Sequence, residues 1–154
     1  GKTWLLEHLV SILAGAGVRA AVIKHDGHEF EADVPGTDSH RMKKAGAFGT
    51  VVYSGTRFAL VKDQAGLEAR DFFGYFPEAD ILLLEGQKNS AYPKIEVLRQ
   101  EISCSPVCSP ETVLAYCQVS QQGSREPRQV FAFDQLDEVA ELAIHHMDAV
   151  FFKN

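Results

Sequence analysis

The run Asp80-Ile81-Leu82-Leu83-Leu84-Glu85-Gly86 constrains the fold more than any other stretch of the chain. Four consecutive aliphatics leave no polar face for water, so the segment reads as a strand buried on both sides, as in a parallel sheet. Parallel strands need long crossovers, and helices supply them. The pattern alternates accordingly. Leu5, Leu6, Leu9, Val10, Ile12 and Leu13 form a helical stripe that Gly15 and Gly17 end. Residues 18–25 (VRAAVIKH) read as a second strand buried on both faces. Residues 67–76 read as a helix whose Phe72, Phe73 and Phe76 pack on the sheet, with Pro77 as the stop. Residues 94–99, 113–119 and 130–133 read as further strands. Asp134, with Asp137 three residues on, reads as the cap of a last helix whose stripe is Leu136, Val139, Ala140, Ala143 and Met147.

Between these elements, residues 26–38 form a charged loop with Gly27, Pro35 and Gly36, long enough to be functional. Thr37-Asp38-Ser39 offers caps to a short basic helix, His40-Arg41-Met42-Lys43-Lys44-Ala45. Residues 50–54 and 57–61 read as an antiparallel hairpin around Gly55-Thr56. Residues 87–93 and 121–128 read as loops, and 100–112 as an irregular insertion. The expectation is one α/β domain over residues 1–154, three-layered, with a mainly parallel sheet and an antiparallel hairpin.

Charge and cysteine content narrow the partners. Fifteen basic against 21 acidic residues give a formal charge of −6, which disfavours non-specific binding to nucleic acid or an anionic membrane. No apolar run approaches the length of a membrane span, and no secretory leader is visible. Cys104, Cys108 and Cys117 are odd in number and sparse, which suits reduced thiols in a cytoplasm.

Three pieces could carry chemistry, because ligands gather beyond the carboxyl ends of the strands in an open α/β sheet. Gly1-Lys2-Thr3 is the tail of the phosphate-binding motif G-x-x-x-x-G-K-[ST], and it runs into a helix start whose free amides attract anions. Lys2 can reach phosphate oxygens, Thr3 can give its hydroxyl to Mg²⁺, and the Gly1 amide can donate to phosphate. The strand and turn that precede this tripeptide in the motif are absent, so the first central strand and the natural amino terminus are expected to lie beyond Gly1. Glu85-Gly86 stands where a nucleotide-hydrolysing fold sets an acid for Mg²⁺ or for the attacking water, and the glycine lets backbone approach phosphate. Lys24-His25-Asp26-Gly27-His28 is the third piece: Asp26 could assist Mg²⁺, Lys24 could face phosphate, or the histidines and Asp26 could bind a transition metal. Cys104-x-x-x-Cys108 lacks a matching second pair and reads as incidental thiols. Arg41, Lys43 and Lys44 read as a solvated basic face, or one that meets an acidic partner or a cofactor phosphate.

Taken together, the chain resembles the MobB family of molybdopterin-guanine dinucleotide biosynthesis adapter proteins. The resemblance rests on Gly1-Lys2-Thr3, on Val22-Ile23-Lys24-His25-Asp26-Gly27-His28, and on Asp33-x-Pro35-Gly36-x-Asp38-Ser39-x-Arg41 running to Ala45-Gly46-Ala47. It rests further on Leu83-Leu84-Glu85-Gly86-x-Lys88 and on Pro93-Lys94-Ile95-Glu96-Val97-x-Arg99. It implies a P-loop NTPase-like fold and a homodimer that binds GTP and Mg²⁺. The implied partners are the molybdenum cofactor guanylyltransferase, which attaches GMP to molybdopterin, and molybdopterin itself; the implied GTP hydrolysis is slow. On this reading Gly1, Lys2, Thr3, Lys24, Arg41, Gly86 and Lys88 hold the nucleotide, Thr3 and Glu85 the metal, and Glu85 and Asp26 act in hydrolysis. GTP itself is implied by the family, since Ser120-Gln121-Gln122-Gly123 does not establish base choice. Two alternatives stay open: a scaffold that holds a phosphate-bearing pterin through Lys24, Arg41, Lys88 and Lys94, and a nickel-insertion GTPase using His25, His28 and the cysteines.

Overall fold

A computed structural model describes residues 2–98, 105–118 and 128–151, with 148–151 described by backbone alone. In chain order the elements are helix α1 (Lys2–Gly15), strand β1 (Ala20–Lys24), helix α2 (Asp38–Lys44), strands β2 (Gly49–Tyr53) and β3 (Phe58–Lys62), a 3₁₀ segment (Ala69–Tyr75), strands β4 (Ile81–Glu85) and β5 (Lys94–Leu98), a short 3₁₀ turn (Pro110–Thr112), strands β6 (Val113–Gln118) and β7 (Gln129–Ala132), and helix α3 (Leu136–Phe151). They fall into two compact units, Gly1–His25 with Phe73–Asn154, and Asp26–Phe72.

The first unit is the parallel part. β1 pairs with β4, and β6 lies between β5 and β7, every pair parallel. Side chains alternate between the faces of a strand. Ile81 and Leu83, Ile95, Ala115 and Phe131 therefore point one way, and they meet Leu9 and Leu13 of α1 and Val139 and Ala140 of α3 in one apolar core. Leu5, Cys117, Leu136, Val97 and Phe133 continue it. The other face of the three-stranded sheet carries Leu98 and Tyr116, which cluster with Val113, Cys108 and Val130. α1 buries Leu5, Leu9 and Leu13, one stripe of the predicted helix, and closes as Gly17 turns to φ +79°.

Several expectations are corrected here. β4 is half-buried at every position and Val22 of β1 is 39% exposed, so neither strand is covered on both faces among the described residues. Among the described residues each of the two has a single hydrogen-bonded neighbour, the other. The helix expected over residues 67–76 is a 3₁₀ segment with i to i+3 bonds such as Phe76 N–H to Phe73 C=O. The Asp71 carboxylate takes the Glu68 N–H and Pro77 follows, so no full α-turn propagates. Leu67 and Phe76 stay largely exposed, while Phe73 packs on Tyr92. At the start of α3 the corner is tied by Gln135 rather than Asp134. Gln135 Oε1 accepts the Ala132 N–H, and its amide donates to Glu138. Residues 121–127 of the expected loop, the tetrapeptide 120–123, residues 100–104 with Cys104, and positions 99 and 119 of the expected strands lie outside the described residues.

The second unit holds α2 and the antiparallel hairpin β2–β3, as the sequence predicts. Thr37 is the N-cap residue of α2, but its hydroxyl donates to Val34 C=O instead of capping. Ser39 donates to Asp33, and the Gly36 N–H donates to the buried His40 ring. Val51, Val52, Phe58 and Leu60 of the hairpin are exposed.

Candidate functional site

The alternation along β4 sets the site. Ile81 and Leu83 face α1, so Glu85, two residues further, emerges on the same side at the carboxyl end of the strand. There it meets the first turn of α1: the Thr3 hydroxyl donates to Glu85 Oε1 at 3.2 Å. Lys24 lies opposite Glu85 in the parallel register, and the His25 N–H donates to the Glu85 carbonyl at 2.9 Å. The chain then turns at Gly86 with φ +87°, where a Cβ would stand 2.5 Å from the His25 carbonyl oxygen. Only glycine fits so close a crossing of two backbones.

A second strand end reaches the same turn. Phe133, two residues beyond Phe131, lies just past β7 and donates its N–H to Gln118 C=O at the end of β6. Its ring lies 5.6 Å from that of Trp4. The His8 ring also lies against Trp4, tilted by 35° at 4.0 Å, and His8 Nδ1 donates to the Trp4 carbonyl. The first turn of α1 thus touches the carboxyl end of β4 through Thr3 and of β7 through Trp4. It contains no acidic residue of its own, so the acid beside its amides and the positive end of the helix dipole is Glu85, arriving from β4.

Of the residues singled out from sequence, Thr3 and Glu85 are brought into contact, with Lys24 and Gly86 adjoining and Lys2 exposed at the head of α1. Gly1 lies outside the described residues. Lys88 follows on the next loop, within electrostatic reach of the Cys108 thiol. Lys94 ties that loop by donating to Ser90 C=O. Asp26 and Arg41 belong to the second unit, where Asp26 accepts the His28 N–H and Arg41 pairs with Asp38 at 3.8 Å. Lys43 pairs with Asp63 at 3.2 Å, so the basic face of α2 is partly neutralised within its own unit. Among the described residues no three His, Cys, Asp or Glu side chains converge as metal ligands. Sequence reasoning passed over Trp4, His8 and Phe133. The available signal was an aromatic directly after the Lys-Thr pair and the alternation of Val130-Phe131-Ala132-Phe133.

Two features frame the site without belonging to it. At the opposite ends of β1 and β4, Arg19 binds Asp80 through its backbone N–H and its guanidinium, at 2.8 to 3.1 Å. This holds the Asp80 carboxyl down at about 2. On the far face of the three-stranded sheet, the buried Glu96 accepts the Val107 and Cys108 N–H groups. Burial, and then the Glu96 carboxylate, push the Cys108 thiol up. A shallow depression of about 680 Å³, bordered by Gln129, Phe131, Glu138, Glu141 and His145, runs toward the start of β7, away from Phe133 and Thr3.

Known proteins resemble the chain along most of its length. The family model described as "Molybdopterin guanine dinucleotide synthesis protein B" matches residues 1–118. The molybdopterin-guanine dinucleotide biosynthesis adapter protein of Escherichia coli is 38% identical over 104 residues, covering 64% of this chain and 59% of that protein. The protein of the same name in Haemophilus influenzae is 35% identical over 106 residues, covering 67% and 60%. The matched region thus spans about three fifths of the length of these relatives. The crystal structure of Bacillus subtilis MobB superposes with a TM-score of 0.76 at 26% identity, over 93% of this chain and 91% of that one. A MobB homologue from Bacillus stearothermophilus shares the fold, with a TM-score of 0.69 at 19% identity over 96% and 90% of the two chains.

Proposed function

The chain belongs to the family of molybdopterin guanine dinucleotide synthesis protein B, and on that premise we propose that it is an adapter in molybdopterin guanine dinucleotide biosynthesis that binds GTP with Mg²⁺ at the first turn of α1. One observation carries the reading: the Thr3 hydroxyl and the Glu85 carboxylate converge at 3.2 Å beside the amino terminus of a helix whose own first turn has no acid. A hydroxyl and a carboxylate are hard oxygen donors of the kind Mg²⁺ takes, and helix amides suit phosphate. The donor set fits the ion, which would be held by Thr3 and Glu85 and would supply charge neutralisation to phosphate when bound.

The residues divide the work. Lys2 supplies a mobile positive charge to the phosphates, Thr3 and Glu85 hold the cation or its water, and Gly86 lets the strand end approach without a side chain. Lys24, opposite Glu85, adds positive charge on the β1 side. Lys88 serves as a further phosphate contact within the same unit, whereas Arg41 and Asp26 stand in the second unit. Positioning and charge stabilisation dominate phosphoryl transfer, and these groups hold phosphate rather than activate water, so turnover is slow. The partners are the guanylyltransferase that joins GMP to molybdopterin and molybdopterin itself, in the cytoplasm. A second copy of the chain pairs through the exposed apolar strip Val51, Tyr53, Phe58 and Leu60, which share one face of the hairpin.

The test is a calorimetric titration of GTP and of ATP, with and without Mg²⁺, on the full-length protein and its Lys2→Ala variant. The expected result is Mg²⁺-dependent GTP binding that weakens at least tenfold in the variant. Unchanged affinity without Lys2 overturns the proposal.

A further inference from the structure

Trp4 is fixed but not covered. The His8 ring rests against it, tilted by 35° at 4.0 Å, and is held there by its bond to the Trp4 carbonyl; Phe133 lies 5.6 Å away, yet Trp4 remains 40% exposed. An indole buttressed by two rings has lost its freedom without completing its burial, which is the condition of an aromatic platform awaiting a flat partner. Its place is specific. Trp4 directly follows the Lys2-Thr3 pair, and Phe133 is hydrogen-bonded to the carboxyl end of β6. A nucleotide whose phosphates meet Lys2 and Thr3 must lay its base beside this turn. The β4 side of the turn is taken by Glu85 and Lys24, whereas the β6–β7 side offers the two rings.

We propose that Trp4 and Phe133 form the stacking platform for the nucleobase of the bound nucleotide, with His8 as the positioning residue behind Trp4. The inference rests on the phosphate site assigned above but stands on separate residues. Stacking acts on the face of a base, so the platform supplies affinity for purines generally and leaves the choice between guanine and adenine to groups that read the ring edge.

Trp4 is the sole tryptophan, so its emission reports the contact directly. Full-length protein is titrated with GTP and, as a probe without a base, inorganic tripolyphosphate, both with Mg²⁺. Fluorescence and calorimetry are read together. GTP is expected to quench the emission and tripolyphosphate to leave it unchanged. Trp4→Ala and Phe133→Leu are expected to weaken GTP about tenfold while leaving tripolyphosphate affinity intact. Trp4→Phe is expected to restore most of the loss. GTP affinity unchanged in Trp4→Ala, or GTP no tighter than tripolyphosphate in the wild type, overturns the platform and leaves the phosphate site standing. Failure of both probes to bind overturns the phosphate site and the platform with it.

Discussion

Thr3 and Glu85 stand 82 residues apart in the chain and 3.2 Å apart in space. The bond between them is exposed, and an exposed neutral-to-charged hydrogen bond contributes little net stability. Its significance is positional, because it joins the head of the first helix to the end of the β4 strand.

That distinction can be measured. Thr3→Val removes the hydroxyl at nearly constant shape. Stability is expected to change by less than about 1 kcal/mol in a urea titration, since water replaces the lost partner. The affinity for Mg²⁺-GTP is expected to fall at least tenfold, and the Mg²⁺ dependence of binding to flatten. A large loss of stability with unchanged Mg²⁺ dependence would make the bond a structural clasp instead.

Gly86 permits a sharper test. A Cβ there would lie 2.5 Å from the His25 carbonyl oxygen, and the backbone has φ +87°. Gly17 has a similar φ of +79° but open space around it. Gly17→Ala therefore isolates the conformational cost, about 1 kcal/mol. Gly86→Ala adds a clash with backbone that cannot rotate away, for a total of roughly 2 kcal/mol or more. Chemical denaturation of the two variants side by side gives the difference. Equal losses would show that the β1–β4 crossing has room to relax.

The sequence carried the elements better than their surroundings. The β4 run, the α1 stripe, the hairpin and the meeting of Thr3 with Glu85 were legible, because strand and helix periods are local and a strand end is a defined place. The exposure of Val22 and the half-burial of β4 were not, since burial depends on what pairs with each strand. The 3₁₀ segment was hidden for another reason. Phe72, Phe73 and Phe76 have helical spacing, but Asp71 competes for the backbone of its own first turn. The Trp4–Phe133 contact joins residues far apart in sequence, and no period in either segment announces it.

The thiols provide a third test. Cys117 is fully buried in the core and burial pushes its pKa up to about 11, while Cys108 is raised by burial and by Glu96. At pH 8 only about one Cys117 in a thousand is thiolate, and that one is inaccessible. With a disulfide reagent, Cys117 is expected to stay unmodified in the native protein and to react in urea, with Cys108 reacting slowly. Mass spectrometry of the labelled peptides separates the sites. Rapid native labelling of Cys117 would contradict its place beside Leu5 and Leu136.

The Arg19–Asp80 pair makes stability depend on pH in one direction. Asp80 has its folded pKa lowered from 3.8 to about 2, chiefly by the side-chain bond from Arg19 and then by the Arg19 backbone N–H. A carboxyl whose pKa is depressed on folding binds fewer protons in the native state, so its contribution is complete above about pH 4 and is lost as pH falls through about 2. The pair lies at the surface, which limits its size and lets salt weaken it. Asp80→Asn keeps the shape and one acceptor but removes the charge. The melting temperature of the wild type is expected to exceed that of the variant by a constant margin above pH 5, with the two curves converging as pH falls from 4 to 2. Added salt should shrink the margin at neutral pH. A margin that holds constant down to pH 2 would mean that Asp80 acts through hydrogen-bond geometry at the starts of β1 and β4 and not through its charge.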